Sequence, residues 1–178
     1  SFSRPISWIA DTTHSSVQFR ARHTDVHDVI GWIARYDIEV VSQRFDFSDA
    51  KIQATTDMGS LVMPNMGMVG NLQNTDLFDV QTYPMASFQG NVEKVRWNGT
   101  SEIGGELTIK DVTLPIKLEG TFNGFAHREA HGLPGFTIHG AFNRYDFNIG
   151  SREGNLETEQ AIADSIFFTA NLRLYVKE

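Results

Sequence analysis

The clearest alternation of apolar and polar positions lies in residues 103–119. Alternate positions before Lys110 are apolar, and the same alternation resumes after it, with Ile116 and Leu118 on the apolar side and Lys117 opposite. A period of two with one apolar face is typical of a strand that is half buried against a core. Because only a short polar stretch around Lys110 separates the two runs, the pattern predicts a β-hairpin.

The same alternation predicts eight strands in the whole chain. They cover Ser15 to His23, Trp32 to Val41, Ala50 to Thr56, Met85 to Val95, Ile103 to Ile109, Thr113 to Phe125, Phe136 to Phe142 and Asp164 to Val176. Residues 127–135 and 150–163 are predicted to be loops, and residues 24–30 are predicted to be a polar loop or a short turn of helix. Many short, evenly spaced strands favour a sandwich or a barrel. An eight-stranded barrel either is filled by side chains or holds one small ligand.

Residues 58–75 interrupt the strand pattern and contain four of the five methionines. Met63, Met66 and Leu72 are spaced more as on a helix than as on a strand, so a short helix is predicted here. Its methionines either fill gaps in the core, as flexible thioethers do, or form a soft lid over an apolar site. Residues 75–84 are predicted to form a turn that carries Leu77 and Phe78 inward.

Composition narrows the class of protein. A chain of 178 residues is expected to form one domain over residues 1–178. Its net charge of −7 argues against nucleic acid and against an anionic membrane surface as partner. No apolar run is long enough for a membrane span and no charged-then-apolar leader is present, so a soluble protein of the cytoplasm or the periplasm is expected. Cysteine is absent, which excludes disulfides and thiolate sites.

The histidines suggest a metal site but do not meet its requirements. His23 and His27 are four residues apart, and His127 and His131 bracket Glu129. On a helix such spacing would place two imidazoles on one face. Both pairs instead lie in predicted loops or at a strand end, and neither forms an HExxH motif. No metal site is predicted.

Motifs of catalysis are also missing. The sequence contains no GxSxG nucleophile elbow and neither of the common glycine patterns that bind phosphate. We therefore predict a protein without catalytic residues or cofactors. The chain is rich in phenylalanine on the inward phase of its strands. On composition alone, an ordinary solid core is the favoured explanation of this pattern.

Five segments resemble the YceI family of lipocalin-like bacterial proteins. They are WIADTTHSSVQF followed by His23, DLFDVQTYPMASFQG, GELTIKDVTLPIKL, NRYDFNIG and AIADSIFFTANL. The third segment is the strongest match, and the five follow one another over almost the whole chain. On this resemblance the chain is identified as a member of the family.

The resemblance implies an all-β fold, an extended eight-stranded antiparallel lipocalin-like barrel with one or two short helices. It also implies a tunnel that binds, transports or stores a long apolar lipid: a polyisoprenoid, a quinone or an acyl chain. Such binding rests on burial of apolar surface, and its selectivity is expected to follow the length and width of the tunnel. A homodimer is a further expectation from the family alone.

Three departures from the family pattern modify this expectation. Residues 68–72 read Met-Val-Gly-Asn-Leu where the family commonly has Arg-Asp-x-His-Leu. Loss of that polar cluster puts a diphosphate head group in doubt and favours a neutral lipid. Asp111 and Asn148 stand where glycine is usual, and both residue types suit turns.

The expected ligand contacts are inward-facing side chains of the strands and apolar side chains near one end of the tunnel. They are Phe19, Ile33, Tyr36, Ile52, Met66, Leu72, Phe78, Phe88, Leu107, Ile109, Phe122, Phe142 and Phe168, with His23 and Arg144 as candidate polar contacts. Structural hydrogen bonding at strand ends is the alternative role for these two polar residues. Two other functions stay open: an enzyme or redox accessory that acts on a bound quinone or lipid through its histidines, and a structural barrel that acts through its outer surface.

Overall fold

The computed structural model describes residues 1–24, 26–126, 132–151 and 162–178. Within these residues the chain forms eleven strands, one α-helix and two short 3₁₀ turns. The strands are β1 Ile6–Ala10, β2 Ser16–His23, β3 His27–Ile33, β4 Tyr36–Ser42, β5 Lys51–Asp57, β6 Leu61–Val62, β7 Met85–Val95, β8 Thr100–Ile109, β9 Val112–Ala126, β10 Leu133–Asn143 and β11 Ile162–Val176. Helix α1 covers Met66–Gln73, and the 3₁₀ turns cover Met58–Ser60 and Arg144–Phe147.

The eleven strands form a closed barrel with eight strand positions, because three of these positions are each occupied by two separate segments. β1 and β2 both pair with β11 and are two parts of one bent strand. Strand β4 pairs with β1, and β3 pairs with β2. On the far side of this pair, β5 pairs with β4, and β6 pairs with β3. β7 to β11 follow as antiparallel neighbours, and the pairing of β1 with β11 closes the ring. The predicted eight-stranded antiparallel barrel with a short helix is confirmed.

Two local predictions were wrong. Residues 24–30 were predicted as a polar loop or a short turn of helix, whereas β3 begins at His27. The short strand β1 was not predicted at all. In β3 the inward position between Val29 and Ile33 is Gly31, while the outward Trp32 is apolar. This combination hides the alternation that a half-buried strand normally shows. Two predicted loops lie partly outside the described residues. These are residues 127–131 of the loop at 127–135 and residues 152–161 of the loop at 150–163.

The hairpin of β8 and β9 forms as predicted. Ile109 pairs with Val112 across a two-residue turn, in which Lys110 has a φ of +58°. The Lys110 ammonium donates hydrogen bonds to the carbonyl oxygens of Leu77 (2.9 Å) and Asn148 (2.7 Å). The turn is thereby tied to the segment after α1 and to the end of the second 3₁₀ turn. Together with α1 they close one end of the barrel, which we call the helical end.

The opposite end is closed by an aromatic plug, which we define as Trp8, Phe47, Phe122, Phe125 and Phe136. Phe47 comes from the β4–β5 loop and is 2% exposed. Its ring centroid lies 4.8 Å from that of Phe136, 5.2 Å from that of Phe122 and 5.8 Å from that of Trp8. The space left inside the barrel therefore lies between this plug and the helical end.

The turn between β1 and β2 is fastened to β11 by one carboxylate. Asp11 accepts hydrogen bonds from the Thr13 hydroxyl (2.7 Å) and from the Arg173 guanidinium (2.9 Å), and His14 Nδ1 lies 2.9 Å away. The Thr13 hydroxyl, then Arg173 and His14, hold the pKa of the Asp11 carboxyl well below its usual range, against an opposing effect of burial. The bend that joins the two halves of the first barrel strand is thus stabilised by a charged network.

We expect Asp11→Asn to lower the free energy of unfolding at pH 7 by about 1–2 kcal/mol, since it weakens hydrogen bonds to a charged acceptor. A carboxyl whose pKa is lowered by folding stabilises the protein above its unfolded pKa of about 3.9 and loses that contribution as the pH falls. The difference between the two proteins should therefore narrow between pH 4 and pH 2 in urea unfolding. Asp37→Asn, at an exposed position of β4, is the control, and an equal pH dependence of both variants would contradict the prediction.

Among the described residues, no helix is long and apolar enough to cross a membrane.

Candidate ligand-binding cavity

A cavity of about 190 Å³ lies inside the barrel between the aromatic plug and the helical end. Its wall is formed by inward-facing side chains of the barrel strands, together with Met68 and Leu72 of α1 and Phe78 from the following turn. Leu72 and Phe78 are buried, so the helical end covers the cavity with apolar side chains. An engineered apolar cavity of about 150 Å³ stays dry and takes up benzene. A cavity of this size and character therefore suits an apolar ring or a short chain segment.

The wall is almost purely hydrocarbon. Among the described residues that line it, the polar ones are Arg22, Thr56 and Ser87. The Thr56 hydroxyl donates a hydrogen bond of 3.4 Å to the backbone carbonyl of Ala86. Because so few polar groups face the interior, a ligand would be held there by burial of apolar surface and not by directed hydrogen bonds.

Glycines on neighbouring strands keep the centre of the barrel open. Phe19 pairs across the sheet with Gly31, and Phe168 with Gly140. A Cβ atom added at either glycine would overlap the Cζ atom of the facing phenylalanine. The absence of a side chain therefore lets each ring lie against the wall instead of projecting across the cavity.

Alanines at inward positions also help to keep the centre of the barrel open. Four alanines line the cavity at inward positions of β2, β5, β7 and β11: Ala21, Ala54, Ala86 and Ala170. They lie on the same strand phase as the predicted phenylalanine contacts, so the period of two could have identified them. They were missed because large side chains alone were taken as contacts.

The structure places ten of the fifteen predicted contact residues in the cavity wall. These are Phe19, Ile33, Ile52, Leu72, Phe78, Phe88, Leu107, Ile109, Phe142 and Phe168. All come from inward strand positions or from the helical end. That they contact a bound molecule remains a prediction.

Three predicted apolar contacts lie elsewhere. Phe122 belongs to the aromatic plug, and Met66, at the start of α1, is 58% exposed. Tyr36 is buried beside the β1–β2 turn, and its hydroxyl has no hydrogen-bond partner among the described residues. Burial, and then the negative charge of Asp11, raises the pKa of Tyr36. None of the three lines the cavity.

The two predicted polar contacts also lie outside the wall. Arg144 is 1% exposed, and its guanidinium donates to the carbonyl oxygens of Ile149 (2.9 Å), Ile162 (3.0 Å) and Ala163 (3.1 Å). This is the alternative role, structural hydrogen bonding at strand ends. His23 ends β2, and its Nδ1 atom is buried without a hydrogen-bond partner among the described residues.

The methionine-rich segment serves both the core and the cavity. Met63 is 3% exposed and belongs to the core, whereas Met58 and Met68 line the cavity. Asn65 caps α1 by accepting a hydrogen bond from the amide of Gly67 at 3.0 Å. A short helix with glycines at two of its eight positions is weakly stabilised by its own backbone. That this segment moves as a lid stays a prediction.

Within the described ranges, no group of three or more His, Cys, Asp or Glu residues could hold a metal ion. His127, Glu129 and His131 lie outside these ranges.

Comparisons with known proteins agree with this architecture. The family model described as the YceI-like domain matches residues 8–174. A UPF0312 protein of Staphylococcus aureus is 29% identical over 150 residues, which are 83% of this chain and 84% of that protein.

Solved structures share the fold at low sequence identity. BcnA of Burkholderia cenocepacia superposes with a TM-score of 0.79 at 20% identity, over 93% of this chain and 99% of that one. A polyisoprenoid binding domain from Saccharophagus degradans, implicated in plant cell wall breakdown, superposes with a TM-score of 0.69 at 14% identity, over 97% and 99% of the two chains. Since the family model covers nearly the whole sequence, the protein belongs to the YceI-like domain family.

Proposed function

We propose that this protein binds an apolar chain, isoprenoid or acyl, in the barrel cavity and acts as its carrier or store. The observation that carries the proposal is the hydrocarbon wall of the 190 Å³ cavity, closed at one end by aromatic rings and covered at the other by a short helix. The similarity to a polyisoprenoid binding domain supports the same class of ligand. Transport or storage, and not chemistry, is what such a wall favours, because it offers almost no group that could activate a substrate.

The size of the cavity limits how a long chain could bind. Each buried methylene contributes about 0.8 kcal/mol, so even a short segment binds usefully. A polyisoprenoid or a quinone tail is much larger than the space available, and only its end would fit without rearrangement. We infer that the remainder leaves through the helical end, where Met68, Leu72 and Phe78 are the side chains that must move. The thioether of Met68 is the most adaptable of them.

Filling the cavity tests the proposal. Ala54→Phe places a ring into existing space and should lower uptake of geraniol, an isoprenoid alcohol, by about tenfold or more, because the ring excludes the ligand sterically while adding less strain than it would in a solid core. Uptake is measured by native mass spectrometry after the purified protein has been stripped by organic extraction.

Gln53→Phe is the matched control, since Gln53 is the exposed neighbour of Ala54 on the outer face of β5. It should leave uptake unchanged. Failure of the wild-type protein to bind geraniol or any longer isoprenoid or fatty alcohol would overturn the proposed function.

A further inference from the structure

Two phenylalanine rings on the cavity wall lean away from each other. Phe19 of β2 and Phe168 of β11 are direct cross-strand partners, and both line the cavity. The Phe19 ring lies over Gly31 of β3, since a Cβ atom added there would overlap its Cζ atom and lie 2.8 Å from its Cε1 atom. In the same way the Phe168 ring lies over Gly140 of β10. Each ring therefore covers the strand beyond its own, on the side away from the other ring.

The divergence of these rings leaves a recess in the wall along the seam between β2 and β11. Adjacent strands lie about 4.8 Å apart. The two ring tips, which lie over β3 and β10, are therefore separated by three strand spacings, about 14 Å along the wall. Along the strands the space is bordered by Ala21 and Ala170, which carry one methyl group each and also line the cavity. We call this space the seam recess and define it by Phe19, Ala21, Phe168 and Ala170.

The wall opposite the seam recess is also drawn back from the centre of the barrel. In the ring of eight strand positions, β7 lies four positions from β11, and β8 lies four positions from β2. Phe88 of β7 lines the cavity, and its Cζ atom lies 2.8 Å from the position of a Cβ atom at either Gly90 or Gly105. This ring too lies against glycines of the wall. The same arrangement on both sides widens the cavity along one line, from the seam recess to Phe88.

We propose that the seam recess holds side branches of the apolar chain in the cavity, and that Gly31 and Gly140 set a preference for branched over straight chains. A branch that enters the recess contacts the rings of Phe19 and Phe168, whereas a straight chain leaves the recess unfilled and forfeits those dispersion contacts. The inference rests on the proposed function, because it needs a chain in the cavity. It adds to that function a selectivity that depends on two glycines.

Decanol and tetrahydrogeraniol test this preference, because they are isomeric alcohols that differ only in the methyl branches of the second. Wild type should bind tetrahydrogeraniol about fourfold more tightly or better, the effect of one additional buried methylene group. In Gly31→Ala and Gly140→Ala the new methyl group pushes a ring tip back over the seam recess. Each variant should weaken tetrahydrogeraniol binding about fivefold, which cancels that preference, and should leave decanol within about twofold. Titration calorimetry measures the affinities.

Gly135→Ala is the matched control. Gly135 also lies on β10, but the atoms nearest to an added Cβ atom there are 3.7 Å or more away, an ordinary contact distance. Both affinities of this variant should stay within about twofold of those of wild type, since nothing is displaced into the cavity.

The double variant Gly31→Ala with Phe19→Leu separates displacement of the ring from a general loss of fold. A leucine side chain ends short of the Cζ position, so the methyl group at residue 31 has room, and tetrahydrogeraniol should bind at least about threefold better than to Gly31→Ala alone. Equal affinities of wild type for the two alcohols, an unchanged preference in both glycine variants, or no recovery in the double variant would overturn the selectivity and leave the proposed function intact. If wild type binds neither alcohol, both proposals fail together.

Discussion

Arg144→Met is expected to lower the free energy of unfolding by about 3–5 kcal/mol while leaving the cavity wall unchanged. Arg144 is 1% exposed and lies at the end of β10, where its guanidinium reaches the carbonyl oxygens of Ile149, Ile162 and Ala163. The side chain also donates to the Tyr145 hydroxyl at 2.7 Å, with its guanidinium carbon 4.2 Å from the centre of the Tyr145 ring. One residue therefore joins the segment after β10 to the start of β11.

The size of the expected loss in unfolding free energy follows from the carbonyl groups that Arg144→Met leaves without their donor. Methionine fills a similar volume but donates no hydrogen bond, so two buried carbonyl groups and one partly buried carbonyl group lose this donor. Each buried acceptor without a partner costs about 1–3 kcal/mol. The substitution also removes a buried charge, and burying a charge is itself unfavourable. This gain offsets part of the combined cost of the unpaired acceptors. The expected loss is therefore smaller than three full penalties.

Urea unfolding followed by circular dichroism measures the effect. Arg144→Lys keeps the charge but offers a compact ammonium in place of a planar fork, so it should recover only part of the lost stability. Arg96→Met is the matched control, since Arg96 forms a partly exposed pair with Glu102 and should cost less than about 1 kcal/mol. A loss at Arg144 no larger than that at Arg96 would contradict the structural role given to Arg144.

Alternation along β2, β7 and β11 was sufficient to predict which of their phenylalanines face the interior. Phe19, Phe88 and Phe168 were placed on the inward phase from sequence, and all three line the cavity. This works because successive side chains of a strand point to opposite faces. The tight hairpin at Lys110 was predicted for the same reason, since the phase continues across its turn.

The alternation could not predict how far along the barrel axis an inward-facing residue lies. Phe122 and Phe142 share the inward orientation, yet Phe122 lies in the aromatic plug while Phe142 lines the cavity. Which layer a residue occupies depends on the stagger between neighbouring strands, and alternation within one strand contains no information about stagger.

The resemblance implies a glycine at two turn positions, Asp111 and Asn148, and their backbone conformations differ. Asn148 has a φ of +57°. Asparagine tolerates this left-handed conformation better than most residues do. In the hairpin the residue with a positive φ is Lys110 and not Asp111, so the replacement of glycine at Asp111 needs no special conformation.

Phe47→Ala is expected to lower the free energy of unfolding by about 3–5 kcal/mol, the usual range when a buried phenylalanine is truncated. Phe47 is the centre of the aromatic plug, with ring contacts to Trp8, Phe122, Phe125 and Phe136. Its backbone has a φ of +59°, which is rare for a bulky residue. Since packing holds the residue in this conformation, loss of the ring should loosen the whole β4–β5 loop.

The β4–β5 loop that carries the Phe47 ring is held together by hydrogen bonds to Asp49. Asp49 accepts hydrogen bonds from the Ser42 hydroxyl (2.6 Å) and from the amides of Gln43 (2.9 Å) and Arg44 (3.2 Å). Burial tends to raise the pKa of Asp49, but these hydrogen bonds outweigh it and lower the pKa. Phe45→Ala is the matched control, because Phe45 belongs to the same loop but is 53% exposed and should cost about 1 kcal/mol or less.

A second consequence of Phe47→Ala concerns the ligand and distinguishes a plug from an ordinary core residue. Leu172 lines the cavity, and its cross-strand partner Phe136 contacts Phe47. Removal of the Phe47 ring should therefore extend the cavity towards the far end of the barrel. Room for about two more methylene groups is worth about 1.6 kcal/mol, so the affinity for farnesol relative to geraniol should rise about tenfold. Equal ratios for Phe47→Ala, Phe45→Ala and wild type would show that the plug does not limit chain length. The cavity would then be bounded by Leu172 and its neighbours alone.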